Sequence, residues 1–276
     1  MAHRDGVAAV ERAIDLLEAF ERAGPNLTLA ELARHTGLVK STVLRLAASL
    51  VRRGLLCREA GGSFRLGPAL VRLGVRYQDA FELGDHVRPA LEALSEATGE
   101  SASFYVREGD RRVCLYRVHA LRHHLLHFVQ VGTQFPYATG ASGRVIRAFT
   151  DADAPDPDGV RESLVAASTS DRTISDTAAV AAAVLGAGGA FAGAVSLAGP
   201  ATRFGVDALP PLRLAVLQAA MQVAIALGGP AATYRCALDD AERRASAVAA
   251  TGAEGGEPRS AGRHAAGGTE EPSQTD

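Results

Sequence analysis

From about Val7 to Ala23 apolar residues recur every three or four positions, with Val10, Ile14, Leu17 and Phe20 on one stripe and charges between them. This spacing predicts an amphipathic helix, ended by Gly24-Pro25. Thr28-Leu29-Ala30-Glu31 then has the form of a capping box, in which the Thr hydroxyl receives the Glu31 amide and the carboxylate reaches back. A second helix is expected to about His35. Thr36-Gly37-Leu38 supplies a tight turn, and from Lys40 to Arg53 a third helix places Val43, Leu46, Ala47 and Leu50 on one face and Ser41, Thr42, Arg45 and Ser49 on another. Leu55–Arg58 and Ser63–Leu66 flank Ala60-Gly61-Gly62, the pattern of a hairpin.

Farther along, Pro68 to Leu83 reads as a helix stopped by Gly84, and Asp85 as the cap of another helix running through Glu96. Strands are expected at Ser101–Arg107 and Val113–Val118, around the turn Glu108-Gly109-Asp110. Thr177 to Pro200 carries no charge. Its Ala- and Gly-rich composition, with Gly186, Gly188 and Gly189 at the middle, fits two buried strands and a Gly turn better than a membrane span. A last helix is predicted from Asp207 to Leu227, with Pro210-Pro211 in its first turn and Gly228 beyond its end. The chain after residue 230 has few large apolar residues, and a disordered acidic tail is expected over 231–276.

Charge changes the picture at the N-terminus. The net charge is −2, yet residues 1–67 carry ten basic and seven acidic groups, and from Arg34 to Arg58 six basic residues occur without one acid. A capped helix, a Gly turn, an acid-free basic helix and a hairpin, in that order, form a winged helix-turn-helix whose third helix enters the major groove of DNA. Arg45 has the fork to read guanine, Ser41 and Thr42 reach a base edge or phosphate, and Lys40 reaches phosphate. Arg58 and Arg65 of the wing bracket the neighbouring backbone. With Thr28 at the N-cap of the second helix, these make the candidate DNA-contacting set.

At 276 residues with 47% apolar content, the chain is sized for two domains. Cys57, Cys114 and Cys236 are too far apart for a CxxC pair, and Asp5, Glu11 and Asp15 interrupt any apolar leader, so a cytoplasmic protein without disulfides is expected. A rival reading is a metal-dependent sensor or enzyme built on His119, His123, His124 and His127; no Cys or acid joins that cluster, and the alternation of residues 124–131 puts His124 and His127 on opposite sides of a strand. Gly140-Ala141-Ser142-Gly143 is one residue short of a serine-hydrolase elbow, and Cys114 reads as core. No catalytic residue, cofactor or metal is assigned.

The run from Leu29 through Gly37-Leu38-Val39-Lys40-Ser41-Thr42 to Arg53-Gly54, followed by Phe64-Arg65-Leu66-Gly67, closely resembles the helix-turn-helix of IclR-type transcriptional regulators. The resemblance extends over about residues 7–228. It implies an α+β chain of two domains: a winged helix-turn-helix (1–67), a linker helix (68–84) and a GAF-like effector-binding domain with an antiparallel sheet (85–230). It also implies a homodimer or homotetramer, a double-stranded operator as partner, a small-molecule effector of carboxylate or aromatic type, and no membrane. Carried over residue by residue, the effector set is Thr139, Gly140, Ala141, Ser142 and Gly143 of the loop Pro136–Arg144, Asp176, Ser196 and Ala198. Ser196 matches the first of two pocket serines and Ala198 replaces the second. Ala179 stands where relatives carry a Cys, which implies a reshaped, more apolar pocket.

Overall fold

The computed structural model describes residues 6–79, 83–120, 129–168 and 176–254. It divides into two compact units, before and after the boundary between His86 and Val87.

The first unit holds helices α1 (Ala8–Ala23), α2 (Leu29–Thr36) and α3 (Lys40–Arg52), the hairpin β1 (Leu56–Arg58) and β2 (Phe64–Leu66), and helix α4 (Ala69–Asp79). Its core joins Leu16, Ala19 and Phe20 of α1 to Leu32 of α2, Val43, Ala47 and Leu50 of α3, and Leu56 and Phe64 of the hairpin. The α3 face matches the sequence pattern. The α1 stripe matches in its second half only: Phe20 is buried and Leu17 packs against the core, but Leu16 and Ala19 point inward where Val10 and Ile14 are 58% and 47% exposed. Leu27 exchanges two backbone hydrogen bonds with Phe64, at 2.9 and 2.7 Å, so the wing is laced to the segment that opens α2.

Helix α5 (Leu83–Thr98) begins in the first unit and runs on into the second, where it precedes β3 (Ser101–Glu108), β4 (Arg111–Val118), β5 (Gln134–Pro136), α6 (Gly140–Thr150), α7 (Val160–Ser163), β6 (Val165–Ser168), β7 (Thr177–Leu185), β8 (Phe191–Pro200), α8 (Leu209–Ala226) and α9 (Ala231–Glu254). The six strands form one antiparallel sheet in the order β5-β4-β3-β8-β7-β6. Both α6 and α8 pack on β7, which is buried along nearly its whole length. The uncharged stretch therefore pairs with itself in the sheet, as expected. Gly193 of β8 lies where a Cβ would sit 2.3 Å from the Phe104 ring, so the two strands approach as closely as only Gly allows.

Two expectations are corrected. Gly84 does not stop a helix and Asp85 does not cap one: both lie in the first turn of α5, which also accommodates Pro89. Nor is the first part of the expected tail without structure, since Ala231–Glu254 is helical and packs on α8; residues 255–276 lie outside the described residues. One buried residue fixes it. The Tyr234 hydroxyl donates to the Ala183 carbonyl and accepts from the Leu185 amide, each at 2.8 Å. Small Ala side chains let α9 approach closely, so a segment poor in large apolar residues still finds a place.

Candidate nucleic-acid interface and effector cavity

The α2–α3 pair is set by local chemistry. Thr28 Oγ1 donates to Glu31 Oε2 at 2.8 Å and accepts from the Glu31 amide, while the same carboxylate accepts from the Thr28 amide. These bonds hold the Glu31 carboxyl below its usual pKa. The Thr28 hydroxyl is thus engaged within the cap. Gly37 takes the left-handed conformation, φ 68°, that turns the chain from α2 toward α3.

Along α3, Lys40, Ser41 and Arg45 are exposed and Thr42 is half-buried. No side chain caps its N-terminus, which leaves a partial positive charge at the end where Lys40 and Ser41 sit. Neither Lys40 nor Arg45 forms a side-chain hydrogen bond or ion pair among the described residues; Arg52 instead donates to Ser49, whose hydroxyl returns to the Arg45 carbonyl. On the wing, Arg58 lies 5.9 Å from the Phe64 ring centroid and stays exposed. On the same hairpin the Arg65 guanidinium is paired with Glu59, and both side chains stay exposed.

In the second unit, β3, β4, β7, β8 and the start of α6 enclose a cavity of about 50 Å³. Gly140, Ala141, Ser142, Ser196 and Ala198 line it, joined by Ala179. Thr139 and Gly143 stand behind the wall. A Cβ at Gly143 would meet the Tyr137 carbonyl at 2.7 Å, and Thr139 accepts from Arg112 through both its carbonyl and hydroxyl, at 2.5 and 3.0 Å. Asp176 is placed differently from expectation. It is exposed with φ 64° just before β7, and Thr177 takes the cavity wall instead.

Sequence reasoning passed over two arginines that line this cavity. Arg112, 4% exposed, lies against the Phe135 and Tyr105 rings and donates to the Pro136 carbonyl at 2.7 Å, pinning the loop that opens α6. Arg117 donates through Nη1 to Ser103 Oγ at 2.8 Å and through Nε to His119 Nδ1 at 3.4 Å. Its Nη2 is buried with no partner among the described residues. The available signal was Arg112 and Arg117 bracketing the apolar run Val113-Cys114-Leu115-Tyr116 within a strand. Burial raises the Tyr105 hydroxyl pKa to about 12 and the Cys114 thiol to about 11, so neither is an anion at neutral pH. Burial and neighbouring Arg117 lower the His119 pKa. His123, His124 and His127 lie outside the described residues, and no group of three or more His, Cys, Asp or Glu suited to a metal occurs among those described.

Comparisons with known proteins agree with this division. Residues 9–60 match the IclR helix-turn-helix domain, and residues 75–176 match the C-terminal domain of bacterial IclR transcriptional regulators. The HTH-type transcriptional regulator KipR of Bacillus subtilis is 26% identical over 243 residues, covering 79% of this chain and 96% of its own. The regulator TtgV of Pseudomonas putida is 33% identical over 145 residues, 52% of this chain and 54% of its own. An IclR regulator from Alicyclobacillus acidocaldarius shares the fold at TM-score 0.70 and 24% identity, covering 81% of this chain and all of its own. So does an IclR homologue from Microbacterium hydrocarbonoxydans crystallised with 4-hydroxybenzoate, at TM-score 0.68 and 20% identity over 80% of this chain and 99% of its own. With both halves matched in order, the chain belongs to the IclR family of transcriptional regulators, a helix-turn-helix DNA-binding domain followed by a C-terminal effector-binding domain.

Proposed function

We propose that this regulator binds a palindromic operator as a cytoplasmic homodimer and that a carboxylate effector, held by Arg117, sets its affinity for that operator. The proposed domains are the winged helix-turn-helix (1–67), the linker helix (68–84) and the effector domain from residue 85. In the DNA-binding unit Arg45 reads a guanine edge, Ser41 and Thr42 contact a base edge or phosphate, and Lys40 and Arg58 neutralise phosphates. Thr28 orders α2, and Arg65 is held back by Glu59. Apolar side chains exposed on α1 (Val10, Ile14) and α4 (Val71, Leu73, Val75) support a second copy as the partner that covers them. The protein acts by binding, without a catalytic step.

The observation that carries the effector reading is the buried Nη2 of Arg117. A buried donor on a charged group that lacks an acceptor costs about 1–3 kcal/mol or more, and a ligand carboxylate removes that cost with a charge-assisted bond. Ser142 and Ser196 offer hydroxyls on the same wall. A cavity of about 50 Å³ holds on the order of four waters at roughly 10–15 Å³ each, which suits an acid of a few heavy atoms. A larger aromatic acid such as the 4-hydroxybenzoate of the Microbacterium relative requires the walls to part. The test is operator binding by fluorescence anisotropy, on a fragment recovered by genomic pull-down, with pyruvate, 4-hydroxybenzoate and their amides titrated in. Carboxylates should change the affinity of the wild type and not that of Arg117→Met. An equal response from Arg117→Met, or from the amides, would refute the assignment.

A further inference from the structure

A second hollow, of about 260 Å³, lies between α7, α8 and α9. It approaches the lower end of the roughly 300–1,000 Å³ typical of small-molecule sites, and it shares no lining residue with the effector cavity. Its apolar wall comes from Val165, Val206, Leu209 and Pro210 on one side and from Ala237 and Ala241 of α9 on the other. The space exists because α9 presents methyl groups there, where longer side chains would fill it.

The charges on the rim are unevenly matched. Asp158 is bound by Arg144 and Asp240 by Arg243, which leaves the guanidiniums of Arg213 and Arg244 facing one further carboxylate, Glu162. Arg213 is half-buried, and its Nε is fully shielded with no hydrogen-bond partner among the described residues. Burial, and then the positive charges of Arg244 and Arg144, pull the Arg213 pKa below its ordinary value, against a smaller opposing pull from Asp158. A guanidinium under net positive influence, with a shielded donor lacking an acceptor among the described residues, stands beside an apolar hollow. Such a place favours an amphipathic anion.

We propose that the α7–α8–α9 hollow is a second ligand site, which takes a carboxylate with an aliphatic tail: the carboxylate on Arg213 and Arg244, the tail against Leu209, Pro210 and the alanines of α9. A ligand so placed bridges α9 to α7 and α8, and thereby couples the C-terminal helix to occupancy. The site is independent of the effector cavity and stands or falls separately.

Octanoate titrated into the full chain by isothermal calorimetry tests it, with 1-octanol as the uncharged probe and thermal unfolding of each variant as a check on folding. Wild type and Arg117→Met should bind octanoate alike in a saturable, one-to-one manner. Arg213→Met, which keeps the apolar bulk, should bind at least about tenfold more weakly, the scale of one lost charge-assisted bond. Ala241→Leu, which fills the hollow without touching a charge, should weaken binding comparably, and octanol should bind no better than octanoate does to Arg213→Met. Absence of saturable binding to the wild type overturns the proposal. So does undiminished binding by a folded Arg213→Met, equal binding of octanol by the wild type, or loss of the octanoate site in Arg117→Met.

Discussion

Replacing Tyr234 by Phe removes one oxygen from the interior and leaves the ring in place. That hydroxyl is both the acceptor for the Leu185 amide and a donor to the Ala183 carbonyl, at 2.8 Å each, and the residue is wholly buried. Both backbone groups belong to β7, which has no access to water at that end. A buried amide left without an acceptor costs about 1–3 kcal/mol; the carbonyl has a second lone pair and costs less. The expected loss is therefore about 2–4 kcal/mol, a large share of the 5–15 kcal/mol that keeps a typical domain folded. Urea denaturation followed by circular dichroism measures it, with the neighbouring exposed substitution Arg235→Ala expected within about 0.5 kcal/mol of wild type. A Tyr234→Phe midpoint indistinguishable from that control would show that α9 does not seal β7, and the helix's place in the fold would have to be redrawn.

Arg45→Ala should weaken specific operator binding by about 1–3 kcal/mol and relax preference at one base position per half-site, whereas Arg58→Ala should weaken binding to all sequences and flatten the salt dependence by about one unit of slope; footprinting and anisotropy at two salt concentrations separate the two. Thr28→Ala breaks the α2 capping box and should cost about 1 kcal/mol in thermal unfolding, with Thr28→Ser largely restoring it. In alkali, native Cys114 keeps its proton to about pH 11 while the unfolded thiol ionises from its ordinary value of 9.0. Unfolding releases that proton, so stability falls as the pH rises between those values, and the buried hydroxyls of Tyr105 and Tyr234, raised from 10.0 to about 12, extend the loss upward. Denaturation midpoints that stay level from pH 8.5 to 11 would contradict the burial of these groups.

What the sequence disclosed depended on how local the determining chemistry is. The capping box of Thr28 and Glu31, the left-handed Gly37 and the hairpin around Gly62 act over three or four residues, and each is legible from spacing alone. The β7–β8 pair is legible for a related reason, since an uncharged stretch broken by glycines has few other places to go. Long-range effects are not. Gly84 looks like a helix stop until it falls inside the first turn of α5, and Val10 and Ile14 look like core until α1 turns Leu16 and Ala19 inward. Arg117 is distinguished only by tertiary structure, because β4 carries it to the lining of one cavity with Ser142 and Ser196. Nor could spacing show that Asp176 is exposed with a positive φ just before β7, while Thr177 beside it lines the cavity. The docking of α9 rests on one tyrosine whose partners lie some fifty residues earlier, a distance over which no periodicity speaks.

The Tyr234 contact also orders events during synthesis. Strands β7 and β8 emerge from the ribosome and can pair with each other before α9 exists, yet the Leu185 amide finds its acceptor only after Tyr234 has been made. The sheet of the effector domain must then wait, partly unsealed, for the last portion of the chain, whereas the DNA-binding unit has everything it needs from residues made long before. A nascent regulator stalled or cut short near residue 230 would therefore carry a finished DNA-binding unit on an unfinished sensing domain, and could occupy operators without being able to answer its effector.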